Sequence, residues 1–215
     1  MNVLAIGAHF DDIELGCSGS LKKHVDKGDK VILYVATSSG FLSPDHVRVR
    51  SDEIALEEGM EAAKLIGAEL MCGCFETLHL EFEDELNAQL VSIIEKEKID
   101  LIYTHHKDDV HHDHAALARA SFHAGRHVPR ILAYHSNWYQ SDVRFSPDFY
   151  VDITDTWETK EAVIKAHKSE YERVGDAWIE YFKKEAKNNG LVCGVELAEG
   201  FRCIKWLVQE TGRKL

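Results

Sequence analysis

Val3-Leu4-Ala5-Ile6-Gly7-Ala8-His9-Phe10-Asp11-Asp12-Ile13-Glu14 changes character halfway along its length. Val3–Ala8 is a short apolar run closed by an imidazole, which by length and flanks reads as a strand buried on both faces of a parallel sheet. His9, Asp11, Asp12 and Glu14 follow at once, at the carboxyl end of that strand, where open α/β sheets bind their ligands. A second run, Leu101–Thr104, ends the same way: His105-His106-Lys107-Asp108-Asp109-Val110-His111-His112-Asp113-His114.

Strand and helix patterns alternate between and beyond these two places. Ser18–Lys27 is predicted helical and is stopped by Gly28-Asp29, and Val31–Thr37 is a second strand. Residues Ser38 to Ser51, with two serines, Gly40 and Pro44, read as a long loop, the best candidate for a lid. Ser51 or Asp52 caps a helix that ends at Gly67, with Leu56, Met60 and Ala63, together with Ala55, Gly59, Ala62 and Ile66, on its apolar face. Glu69–Phe75 is a strand and Asp84–Lys96 a helix. A helix capped at Asp113 or a neighbour runs to about Phe122. Strands Ile131–His135 and Phe149–Ile153, helices from Thr154 to about Tyr171 and over Asp176–Lys187, and a terminal strand Cys203–Val208 complete the pattern. This alternation implies one α/β domain over residues 1–215, a three-layer sandwich with a mostly parallel central sheet.

Composition narrows the partners. The chain of 215 residues carries a formal charge of −12. Residues 52–100 hold fourteen acids against three bases (Lys64, Lys96 and Lys98), so nearly all of the excess lies on two helices and their flanks. An acidic balance argues against nucleic acid or an anionic membrane surface. No apolar run approaches the ~18 residues of a membrane helix, and Met1–Gly7 lacks the basic start and cleavage site of a signal peptide. Five cysteines without a regular framework suit a reducing compartment, so a cytoplasmic location is expected. Cys72-Gly73-Cys74, in a strand-like run, reads as buried small hydrophobes.

The histidines are the stronger clue, because five of the thirteen fall within residues 105–114. Zinc hydrolases use three N or O ligands and leave one position to water. His9 and Asp12, three apart, can meet one ion in a tight turn, with a third ligand from the second cluster. Asp11, beside a ligand without being needed as one, is placed as a general base, and an imidazole opposite can stabilise an oxyanion. His105 and His106 read as supports, and Asp108 and Asp109 as turn-formers. Trp138 and Tyr139 suit either a sugar ring or ordinary packing.

Ala8-His9-Phe10-Asp11-Asp12-Ile13-Glu14-Leu15-Gly16 and His111-His112-Asp113-His114 resemble the paired motifs of the LmbE-like, PIG-L-type zinc de-N-acetylases. Pro147–Thr154, Lys160, His167, Ser169 and Ala198–Arg202 extend the likeness. Phe10 and His112 stand where the pattern has proline. The resemblance implies a Rossmann-like fold and one Zn2+ per chain, other divalent metals being compatible. It implies His9, Asp12 and His114 as ligands, Asp11 as base and His111 as oxyanion stabiliser and amine acid, with Asp113 orienting His111. The family's substrate-binding Arg opens an R-x-x-E helix start. Matching the helix end puts Glu58 at the Glu and Ala55 at the Arg, whereas counting forward from His9 selects Arg50. The implied reaction is removal of an N-acetyl group from an amino sugar or N-acetylglucosamine-type conjugate, a small-molecule substrate, by water activated by the metal and Asp11. The alternatives are a metal-dependent hydrolase of a non-sugar amide and a non-catalytic metal- or sugar-binding module. Self-association into a homo-oligomer is left open.

Overall fold

The computed structural model describes residues 1–208; residues 209–215 lie outside the described residues. Its strands are β1 (Asn2–Gly7), β2 (Lys30–Thr37), β3 (Phe41–Leu42), β4 (Arg48–Arg50), β5 (Glu69–Phe75), β6 (Leu101–His105), β7 (Arg130–Tyr134), β8 (Phe149–Asp152) and β9 (Ala198–Trp206). Its α-helices are α1 (Asp12–Asp26), α2 (Asp52–Ile66), α3 (Asp84–Glu97), α4 (His112–Ala124), α5 (Trp157–Ala166), α6 (Lys168–Val174) and α7 (Ala177–Cys193).

Seven strands form one sheet in the order β5-β2-β1-β6-β7-β9-β8. The first five are mutually parallel, while β9 runs antiparallel to β7 and β8. Side-chain alternation divides the core. Val3 and Ala5 of β1 pack with α1, α2 and α5 on one face, and Leu4 and Ile6 pack with α3 and α4 on the other. A third cluster, built on Trp157, Trp178 and Phe182, seats α7 beside the sheet. The sheet with helices on both faces is the predicted α/β sandwich. No helix among the described residues is long and apolar enough to cross a membrane.

After β1 the chain winds outward through β2 to β5, then returns across β1 to lay down β6 on its other side. The carboxyl ends of β1 and β6 therefore open side by side at the point where the winding reverses, the place such sheets leave a crevice. Val3 pairs with Leu101 and Ala5 with Tyr103, so both polar motifs emerge at one level.

Several local expectations are corrected. α1 starts at Asp12, not Ser18, because the small residues Gly16, Ser18, Gly19 and Ser20 are buried against neighbouring elements, and packing outweighs their weak helix propensity. The Ser38–Ser51 segment carries the β3–β4 hairpin. On α2 the inward face is Ala55, Gly59, Ala62, Ala63 and Ile66, while Leu56 and Met60 face solvent. The Thr154–Tyr171 helix is a 3-10 turn plus α5, broken at His167, and β9 begins at Ala198. Cys74 is exposed and Cys72 only half-buried.

Candidate active site

The turn after β1 is held by its own side chains. Asp12 starts α1, and its Oδ2 accepts the His9 N–H at 2.8 Å. Asp11, between them, has φ 140° and ψ −27°, a costly conformation for a residue with a Cβ. Phe10 is buried against α2. A Cβ on Gly59 would lie 2.2 Å from its ring, so this approach requires glycine. The Phe10 N–H donates to Ser39 Oγ (2.9 Å), and Arg50 Nη1 donates to the Phe10 carbonyl (2.9 Å). Burial and these two bonds hold the turn where the family pattern has proline.

The second motif supplies the facing wall. His111 caps α4, its Nδ1 accepting the Asp113 N–H at 3.2 Å. His114, one turn along, stacks between His111 (4.4 Å between centroids) and His105 (4.0 Å). His9 Nδ1 lies 3.3 Å from Asp12 Oδ2 and 3.3 Å from His114 Nε2, and His114 Nε2 lies 3.1 Å from Asp12 Oδ1. Among the described residues, two triads place one ligand atom each within 4.8 Å of one another: His9, His111 and His114, and Asp12, His105 and His114. His105 Nε2 already accepts the Ala8 N–H at 3.0 Å, which fits a support.

Asp113 departs from its expected role. Its carboxylate does not reach the His111 ring; it meets His9 Nε2 at 2.9 Å and accepts the N–H groups of Leu78 (2.7 Å) and Leu80 (3.1 Å). At the start of α4 this side chain turns toward the open amides of the Leu78–Leu80 segment, so it orients His9. The carboxylate that orients His114 is Asp109, at 3.1 Å from Nδ1, which also accepts from Asn137 Nδ2 and the His111 N–H. Its role was missed because an Asp-Asp pair in a loop reads as a turn. Ser136 Oγ donates to Asp12 Oδ1 at 2.8 Å, and nothing in the sequence near Ser136 signals it.

Arg50 is buried beside Asp11 (Nη1 to Oδ2, 3.8 Å). Its Nη2 donates to Glu58 at 3.1 Å, and Glu58 accepts both the N–H and the hydroxyl of Ser169 at 2.7 Å. His167, at the break between α5 and α6, lies 3.3 Å from Arg50 and 3.4 Å from Glu14. The need for Glu58 inside explains why α2 turns Leu56 and Met60 outward.

Charge is unevenly distributed over this cluster. Burial works against the imidazolium forms of His9 and His114, yet Asp113 and Asp12 raise His9 to about 9, and Asp12 and Asp109 raise His114 to about 10. Burial also opposes the Asp12 carboxylate, but His114 and His105 hold it well below its usual range. His111 is pushed down to about 4 by burial and by His114 and His9. Burial and the Asp12 charge push Asp11 up to about 7 against the pull of Arg50 and His167. The floor that these groups form opens into a cavity of about 250 Å3, walled by Trp138, Tyr139, Trp178, Phe41 and Leu78.

Known proteins resemble the chain in sequence and in fold. The model of the GlcNAc-PI de-N-acetylase (PIG-L) family matches residues 4–125. The chain is 36% identical over 183 residues to a protein of Escherichia coli K12 called uncharacterized deacetylase YaiS, covering 78% of this chain and 90% of that one. It is 27% identical over 224 residues to the diacetylchitobiose deacetylase of Thermococcus kodakarensis, covering 94% and 82%. In fold it resembles the N,N'-diacetylchitobiose deacetylase of Pyrococcus horikoshii, with a TM-score of 0.81 at 23% identity over 94% of this chain and 83% of the other. On its motifs, its sheet and these matches, the chain belongs to the PIG-L family of GlcNAc-PI de-N-acetylases.

Proposed function

We propose that the protein is a zinc-dependent hydrolase that removes the N-acetyl group from an amino sugar or an N-acetylglucosamine-type conjugate. The observation that carries this reading is the cluster of His9 Nδ1 and His114 Nε2, 3.3 Å apart and each 3.1–3.3 Å from a different oxygen of the Asp12 carboxylate, beside Asp11 at the base of an aromatic-walled cavity. Tetrahedral coordination with bonds of about 2.0–2.1 Å needs donors about 3.3 Å apart, which is the separation of the two ring nitrogens, and one oxygen of the adjoining Asp12 carboxylate would complete the set. Asp113 and Asp109 take the outer nitrogens of the two imidazoles, which fixes their tautomers with the inner nitrogens toward the ion. A divalent ion there supplies Lewis acidity, polarising an amide carbonyl and making water easier to deprotonate.

The remaining work belongs to the chain. Asp11, near 7, accepts the proton of the attacking water at neutral pH and returns it to the departing amine. Arg50, at 3.8 Å, keeps enough of Asp11 ionised to act as base despite its burial. His111, neutral and with Nδ1 engaged by the Asp113 N–H, is left with Nε2–H as its donor for the developing oxyanion. Trp138, Tyr139 and Trp178 offer flat apolar faces to a sugar ring, while the hydrogen-bonding groups gather at the floor. The names of the relatives that act on diacetylchitobiose support an amino-sugar substrate.

The test is acetate release from a panel of N-acetylated mono- and disaccharides by the zinc-loaded protein. Turnover of at least one is expected, with Asp11→Asn retaining zinc and losing most of it. Silence across the panel, with release from simple non-sugar acetamides, would overturn the sugar assignment.

A further inference from the structure

The end of β5 is kinked in a way that the proposed hydrolysis does not use. Its pairing with β2 is regular from Ile32–Glu69 to Val35–Cys72, then slips so that Thr37 faces Phe75. Gly73 and Cys74 are thereby set against Ala36 alone, which is a bulge. Cys74 takes φ 58°, in the left-handed region. Gly73 has no room for a side chain, since a Cβ would lie 2.4 Å from the Tyr34 hydroxyl and 2.7 Å from the Ala36 carbonyl. In a regular strand, residues two apart share a face but stand about 6.6 Å apart along it. Here Cys74 Sγ lies 3.5 Å from Cys72 Sγ, and the Cys74 N–H donates to the same Cys72 sulfur at 3.3 Å. Cys74 is exposed and Cys72 half-buried.

We propose that Cys72 and Cys74 are a redox-active dithiol, oxidised to an internal disulfide by a low-molecular-weight disulfide. Cys74 loses its proton to solvent and its sulfur attacks one sulfur of the reagent, forming a mixed disulfide as the first reagent thiolate leaves. Cys72 then gives up its proton and attacks Cys74 Sγ, closing the internal bond and expelling the second thiolate. Two protein thiols lose two electrons, and one reagent disulfide becomes two thiols. Burial, reinforced by the adjacent Cys74 sulfur, pushes the Cys72 thiol up to about 11, which makes Cys74 the point of entry and Cys72 the resolving thiol. A ring closed over a single residue restrains little of the unfolded chain, so the bond is weakly favoured and readily reduced. The chain passes from Cys74 directly to Thr77 and Leu78 in the wall of the active-site cavity.

The test uses the full chain, exposed at neutral pH to excess glutathione disulfide, then alkylated, cut with trypsin and weighed. Cleavage after Lys64 and Lys96 yields fragment 65–96, which holds both cysteines and no other. The expected product is that fragment lighter by two hydrogens, free of adduct, and restored by dithiothreitol. Cys72→Ser is expected to trap one glutathione on Cys74, and Cys74→Ser to leave Cys72 open to alkylation. The exposed Cys193 is the internal control for reaction. A wild-type fragment that keeps a glutathione adduct without the internal bond overturns the proposal. So does one that stays fully alkylatable while Cys193 reacts, and this wild-type arm decides even if neither variant folds.

Discussion

Loading zinc onto the metal-free protein is expected to release two protons per ion. His9 Nδ1 and His114 Nε2 face different oxygens of Asp12, and their outer nitrogens face Asp113 and Asp109, so each imidazolium has a carboxylate at both ends. Two protons thus occupy the space between the donors, with the charge of one divalent ion. Metal ligation requires neutral imidazole. Below the values of about 9 and about 10, both protons must leave, and the apparent affinity should rise about 100-fold per pH unit, flattening above pH 10. Calorimetry at pH 7.5 in buffers of different ionisation enthalpy counts the protons, and chelator competition from pH 6.5 to 8 gives the slope. A slope of zero or one would refute the charge assignment. The same protons stabilise the metal-free fold. Both folded values lie above the ordinary 6.5, so their contribution is complete below pH 6.5 and is lost as the pH climbs through 9 and 10. The metal-free melting temperature should fall over that window, and that of the zinc protein should hold.

Three substitutions probe the surroundings. Asp109→Asn removes the charged partner of His114 Nδ1 and should weaken zinc binding about 10- to 100-fold by chelator competition; unchanged affinity would remove Asp109 from the site. Arg50→Met takes the guanidinium from Asp11 and strands Glu58. The acid limb of the kcat/KM profile should move to higher pH, and urea unfolding should show a loss of about 3–5 kcal/mol. Gly59→Ala sets a methyl 2.2 Å from the Phe10 ring and should cost about 1–3 kcal/mol by overpacking, read by thermal melting, with lower zinc affinity because Phe10 adjoins His9.

The candidate donors were legible because each lies at a boundary that local pattern reveals: an apolar strand ends, and imidazole and carboxylate begin at His9–Asp12 and at His105–His114. Arg50 was weaker in the sequence, since the hairpin it closes looks like open loop, and only the Arg50–Glu58 pair ties it to α2. The family resemblance implies that Asp113 orients His111, whereas its carboxylate turns to His9, 104 residues away, a pairing that no local pattern reveals. Leu56 and Met60 misled the reading of α2, because apolar periodicity carries no sign of the half-buried Glu58 that pairs with Arg50.

The sequence by itself determined the alternation of apolar strands with amphipathic helices, and hence a parallel sheet covered on both faces. It also determined which chemical groups stand at the strand ends, because both properties are written within a dozen residues. Tertiary structure alone decided which carboxylate holds which imidazole. The His9–Asp113 and His114–Asp12 pairings cross from one strand end to the other, and they exist because the winding reverses between β1 and β6, bringing the two ends to one level.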